Sequence, residues 1–184
     1  MAYEERYCAF VDILGFSQLI AGLRNNSAEF ETIRGVLNKI RTPHDPDVFG
    51  TGGTDFKAQS ISDAVAFSTL PTIEGLSILV GKLRELSVAL LYQGFFTRGA
   101  VCKGLLHHDD QMVFGEALIA AYTLESTVVK YPRIMITKDV VDDALHSDKA
   151  KEFSEFIIPA EDGPSYLHVL WQLGMILGIS VLSG

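Results

Sequence analysis

The stretch that most restricts this chain is Cys8-Ala9-Phe10-Val11-Asp12-Ile13-Leu14-Gly15-Phe16-Ser17, an apolar run holding a single carboxylate and broken by a glycine. A run of Phe, Val, Ile and Leu bounded by breakers reads as a buried strand, and an ionised Asp inside one is costly unless a cation or a full set of donors meets it. Asp12 therefore needs a partner. An arginine or the start of the next helix would serve, but a second segment of the same character points further. Phe56 to Ser68 reads as strand, two-residue turn, strand, with Ser62-Asp63 at the tip. Two carboxylates at adjoining strand ends repel and raise each other's pKa unless a divalent cation sits between them, as in the oxygen-rich Mg²⁺ or Mn²⁺ sites that hold a triphosphate.

The remaining elements follow from periodicity. Ser17 to Arg41 has helical spacing, with a break at Asn25-Asn26-Ser27, and Thr42 to Thr54 collects the prolines, glycines and aspartates of an exposed loop. Ile73 to Tyr92 is an amphipathic helix with Leu76, Leu79, Leu83, Leu86 and Leu90 on one side and Gly94 to stop it. Phe95 to Gly104 is a strand, and His107-His108-Asp109-Asp110 beyond it reads as a solvated hairpin tip, because neighbouring strand residues face opposite ways and two such His cannot share an ion. Val113 to Lys130 runs from a strand end into a helix, Arg133 opens a strand after Pro132, and Val140 to Leu145 is a short helix. Phe153 to Pro159 and Tyr166 to Leu173 read as two last strands around a turn at Glu161-Asp162-Gly163-Pro164. The order β-α-β-β-α-β, then helix and strand, is the split βαβ, ferredoxin-like pattern of an α+β fold with a central, mostly antiparallel sheet and flanking helices.

Composition narrows the class of protein. At 184 residues and 48% hydrophobic the chain suits one domain over 1–184 with a sizeable core, and 15 Lys plus Arg against 23 Asp plus Glu argue against a nucleic-acid partner. Cys8 and Cys102 lie in apolar runs with no secretory leader before them, as in reduced core residues of a cytoplasmic protein. Tyr166 to Ser183 is apolar, but His168, Gln172 and glycines interrupt it, so a core strand and a docking segment fit better than a membrane span of ~20 residues.

Five segments, in order, resemble one family. Phe10-Val11-Asp12-Ile13-Leu14-Gly15-Phe16-Ser17 resembles the F-x-D-I-x-G-F-[ST] opening of class III nucleotidyl cyclases, and Ser60-Ile61-Ser62-Asp63-Ala64 their second metal-binding strand and turn, T-I-G-D. Thr97 to Gly104 resembles the R-[IV]-G-[IV]-x-x-G strand, Phe114 to Ala121 with Leu124-Glu125 the G-D-x-V-N-x-A-x-R-L-E helix, and Arg133 to Thr137 the strand after it. The resemblance covers roughly residues 6 to 145. It implies two Mg or Mn ions held by Asp12, Asp63 and the Ile13 carbonyl, and a triphosphate held by Leu14, Gly15, Phe16, Ser17 and Arg133. It also implies a homodimer with each site built across the interface.

The departures refine that expectation. Where purine cyclases read the base with Lys and Asp, this chain has Gln59 and Met112, and Met cannot accept a strong hydrogen bond from an exocyclic amine. The chain is thus more similar to the pyrimidine cyclases of bacterial Pycsar antiphage systems, which implies conversion of UTP, or else CTP, to the 3′,5′-cyclic monophosphate and pyrophosphate. The family's Asn and Arg, which orient ribose and stabilise the transition state, fall at Ile119 and Thr123, and neither can do that work. Arg98, Lys103 and Tyr122 are candidates to replace them, although Arg98 could equally pair with Glu125 or Asp63. The alternative is a catalytically silent nucleotide-binding sensor with the same fold.

Overall fold

Alternation along β1 (Glu4–Leu14) sorts its side chains onto two faces. Tyr7, Ala9, Val11 and Ile13 enter one buried cluster, while Cys8 and Phe10 enter others on the opposite face. Both faces are covered, which is why the run is apolar at nearly every position. The computed structural model describes residues 3–16, 31, 34–35, 55–61, 63–161 and 163–169. The helix expected over 17–41 and the loop over 42–54 lie largely outside those residues, as do Ser17, Ser62 and the apolar end beyond 169.

β1 is flanked by β3 (Ala64–Thr69), which forms a hairpin with β2 (Lys57–Ile61), and by the long β4 (Phe96–His108), all antiparallel. The strand order β2-β3-β1-β4 is that of the split βαβ pattern. Beyond β4 the sheet continues through β6 (Ile134–Ile136), parallel to β4, then β8 (Gly163–Leu167) and β7 (Ile157–Ala160), with β5 (Val113–Gly115) pairing to the far end of β4.

Helix α1 (Ile73–Tyr92) starts where Thr72 Oγ1 accepts the Gly75 N–H at 3.0 Å, and it ends at Gly94, whose φ of +84° suits glycine. Its five expected leucines are all buried against the Tyr7–Ile13 face of β1. Each such side chain contributes about 2 kcal/mol of transfer free energy. Helices α3 (Lys138–Leu145) and α4 (Ala150–Ser154) add Val140, Ala144 and Phe153 to the same core. Among the described residues, helix α2 (Glu116–Thr127) is the one helix on the other face, with Ala117, Ala121 and Glu125 buried at i, i+4 and i+8. No helix among the described residues is long and apolar enough to cross a membrane.

Three sequence expectations are corrected. The strand expected to end at Gly104 runs on to His108, so both histidines are buried in β4 rather than held in a solvated tip. They do face opposite ways: His107 packs on Phe114 and meets Asp109 at 3.0 Å, whereas His108 Nδ1 lies 2.8 Å from Ser68 Oγ. The strand expected over Phe153 to Pro159 begins only at Ile157, because Phe153 and Phe156, three apart, both reach the core from a helical turn. Gly163 and Pro164, expected in a turn, already belong to β8, whose described pairing ends at Leu167.

Candidate active site

The pairing of β1 with its neighbours brings the candidate residues to one end of the sheet. Asp12 stands opposite Ala64 of β3 on one side and opposite Arg98 of β4 on the other. Asp63 precedes Ala64 at the hairpin tip, and its carbonyl accepts the Ile13 N–H at 3.0 Å. The two acidic residues, 51 positions apart in the sequence, therefore meet through backbone hydrogen bonding. Gly99, next to Arg98, allows this close strand approach, since a Cβ there would stand 2.5 Å from the Phe10 carbonyl oxygen.

Charge at this end is dense. The Arg98 guanidinium reaches Asp12 Oδ2 at 3.4 Å through Nη2, and its Nε lies 2.6 Å from Glu125 Oε1. The second contact is close but too bent for a hydrogen bond, and the first is long for one. Both are ion pairs held at imperfect geometry. Burial lifts the Asp12 carboxyl above the usual carboxylate range; Arg98 and the Ile13 N–H work against this and Asp63 adds to it. Glu125, more deeply buried, is raised by desolvation first, against Arg98 and with a push from Asp12.

Gly15 follows β1 at φ +86°, a conformation glycine adopts readily, and turns the chain away from the sheet beside Asp12. Leu14 closes β1, and Phe16 is buried in the core, so its side chain anchors that turn rather than facing a ligand. Arg133 sits one step before Ile134, which pairs with Gly99, so Arg133 neighbours Arg98 on the Asp12 face of the sheet. Its guanidinium lies over the rings of Tyr131 and Tyr166 at 5.6 and 5.8 Å. Stacking of this kind restricts the plane of the guanidinium.

The two candidates for base reading are also brought together. Gln59 Nε2 donates to the Gln111 carbonyl at 3.3 Å, beside Met112, which leaves Gln59 Oε1 as a buried acceptor with no hydrogen bond among the described residues. Tyr122 is half exposed and edge-on to Phe10, two residues from Asp12 on the same face. Ile119 and Thr123 line an open recess of about 500 Å³ with Cys102, Leu124, Val128 and Thr137. Lys103 is not with the others: period-two alternation puts it on the opposite face, bound to Asp143 at 2.9 Å and near the Tyr7 ring, so it is dropped as a candidate for the transition-state contact.

Glu125 is the residue that sequence reasoning undervalued. An acid in register with Ala117 and Ala121 on the buried stripe of α2 is the signal that would have found it. Among the described residues no three His, Cys, Asp or Glu side chains converge to hold a metal ion. The oxygens at this end that would suit Mg²⁺ or Mn²⁺ are those of Asp12, Asp63 and the Ile13 carbonyl, all hard donors of the kind these ions prefer.

Compared by sequence, the chain matches no family model and no curated relative. Compared by structure, it is similar to the monomeric guanylyl cyclase domain of the RhoGC fusion protein from the aquatic fungus Blastocladiella emersonii, at a TM-score of 0.56 and 13% identity over 90% of this chain and 95% of that one. It is also similar to the catalytic core of a rhodopsin-guanylyl cyclase with converted specificity, in complex with ATPαS, at 0.54 and 13% over 89% and 93%. A third likeness is to an adenylate/guanylate cyclase/hydrolase from Silicibacter pomeroyi, at 0.50 and 18% over 89% and 94%. The chain thus has the fold of nucleotidyl cyclase domains, an α+β sheet with helices on both faces.

Proposed function

We propose that the chain is a metal-dependent nucleotidyl cyclase of the pyrimidine type, converting UTP in preference to CTP into the 3′,5′-cyclic monophosphate and pyrophosphate, as a second messenger in antiviral defence. The observation that carries the reading is the meeting of Asp12 and Asp63 through the Ile13–Asp63 hydrogen bond, on a fold shared with cyclase domains. In that reaction the ribose 3′-hydroxyl attacks the α-phosphate. Two Mg²⁺ or Mn²⁺ ions at this end of the sheet would lower the pKa of the hydroxyl and take up phosphate charge.

The chain's own residues hold the reactants. Asp12, Asp63 and the Ile13 carbonyl are the ion ligands, Gly15 with its neighbours Leu14 to Ser17 brings backbone N–H groups to the phosphates, and Arg133 offers its fork to a terminal phosphate. Gln59 supports a pyrimidine, since its buried Oε1, without a hydrogen bond among the described residues, would accept from N3–H of uracil or the amine of cytosine once the amide turns toward the base, while Met112 offers a purine nothing. Exposed Met112, Ile119 and Tyr122 support a homodimer that covers the α2 side of the sheet and completes the site.

One observation favours the silent sensor instead. Ile119 and Thr123 provide no cationic donor for the transition state, and Arg98 is engaged by Asp12 and Glu125. Incubation of the purified protein with Mn²⁺ and each of the four ribonucleoside triphosphates, with mass-spectrometric identification of products, separates the readings. Cyclic UMP or cyclic CMP is the expected product. A cyclic purine product would overturn the pyrimidine assignment, binding without turnover would leave the sensor, and no nucleotide binding would overturn both.

A further inference from the structure

If Asp12 is a metal ligand, as the proposed function requires, its ion pair with Arg98 is more than a structural contact, and the role inferred for Arg98 rests on that reading. Arg98 is the directly cross-strand neighbour of Asp12, so its backbone position is fixed by the sheet and only its side chain can move. At 3.4 Å its contact with Asp12 is loose, and Nη2 reaches it from a side chain 30% exposed. Glu125 stands behind it, with its side chain 4% exposed and Oε1 2.6 Å from Nε, yet misaligned. A guanidinium suspended between two carboxylates, well bonded to neither, gains straighter geometry by turning fully toward one of them.

A buried glutamate on an otherwise alanine-lined helix face would be expensive without such a cation. Its presence is explained if it receives the guanidinium when Asp12 takes another partner. We propose that Arg98 is a tethered counter-ion of Asp12: it neutralises the carboxylate in the metal-free protein, a divalent ion must displace it, and Glu125 is the acceptor that takes it when it leaves. Arg98 and Glu125 then set the metal affinity of the site without ligating the ion, as positioning residues.

The test is Mn²⁺ binding in the absence of nucleotide, read from the loss of the free-ion paramagnetic resonance signal and by titration calorimetry, so that it does not depend on turnover. Arg98→Gln removes the competing cation and tightens binding about tenfold, the scale of one partly screened charge pair near a surface. Glu125→Gln leaves the guanidinium nowhere to go but Asp12 and weakens binding about threefold. Should Arg98→Gln fail to fold around an unpaired Glu125, the double variant Arg98→Gln/Glu125→Gln leaves no charge buried under α2 and also binds more tightly than wild type.

If wild type binds Mn²⁺, Asp12→Asn abolishes that binding, and neither Arg98 variant binds more tightly, the metal site stands and the counter-ion role is overturned. If neither wild type nor any variant binds Mn²⁺, the metal reading itself falls and takes this inference with it. Binding seen only once Arg98 is removed supports the counter-ion role in its strongest form.

Discussion

Asp12→Asn is expected to abolish formation of cyclic product, lowering turnover by at least about 10³-fold while leaving the protein folded, because an amide keeps the shape of the side chain but not the charge that would hold the divalent ions. Asp63→Asn should do the same. The fold should tolerate the first change, since Asp12 is half-buried with its carboxyl raised by burial, so that loss of its charge relieves a desolvation cost as it removes a long ion pair. Turnover and the melting midpoint measured on the same preparations check both halves. Activity of either variant above about a tenth of wild type would mean that the carboxylates are structural, since a direct ligand cannot be lost so cheaply.

The second large effect concerns pH and lies at the other end of the same face of β4. Arg6, almost wholly buried, donates through Nε to Ser68 Oγ at 3.1 Å and through Nη1 to Asp55 at 2.8 Å. Since Ser68 accepts from Arg6, its own hydroxyl proton is free to go to His108 Nδ1, 2.8 Å away. That arrangement requires a neutral imidazole. Burial first, then the charges of Arg6 and Lys57, lower the His108 pKa from the ordinary value of 6.5 to about 4, against smaller opposing effects of Asp109 and Asp55.

Because the folded-state value is depressed, the unfolded chain binds a proton below pH 6.5 that the folded chain refuses until pH 4. The stabilisation from a neutral His108 is thus present above pH 6.5, is lost as pH falls through that window, and levels off below about pH 4. Its full size is about 3 kcal/mol. In His108→Asn, where Oδ1 can take the place of Nδ1 as acceptor, this dependence disappears. Chemical denaturation at pH 7 and pH 4 should show wild type losing about 3 kcal/mol more than the variant. Parallel losses would show that His108 does not titrate as the network requires.

How much of this is legible in the sequence depends on the range of the interaction concerned. β1, the hairpin, α1 and α2 follow from local periodicity, and the order of strands from how those elements must pair. Asp12 and Asp63 can be singled out because a carboxylate in an apolar run is an anomaly visible in one dimension. The limits of β4 are not visible, since His107 and His108 look polar and only Ser68 and Phe114, supplied by other strands, make them buried strand residues. The same is true of Phe153, whose helical turn is chosen by the core it reaches. Lys103 is misassigned unless alternation is counted across the glycines of β4: from Arg98 an odd number of steps reaches the wrong face. The pairing of Arg98 with Glu125 is one of two options in the sequence, and the register of β1 with β4 decides it by placing Arg98 beneath α2.

The claim on which the rest depends is that Asp12 and Asp63 ligate the same divalent ions beneath a triphosphate. The most direct measurement is anomalous diffraction from crystals grown with Mn²⁺ and a non-hydrolysable UTP analogue. The account predicts manganese peaks about 2 Å from oxygens of both carboxylates and of the phosphates, with Arg98 withdrawn from Asp12 toward Glu125. A triphosphate bound elsewhere, or bound with Arg98 still on Asp12 and no manganese between the two acids, would contradict it.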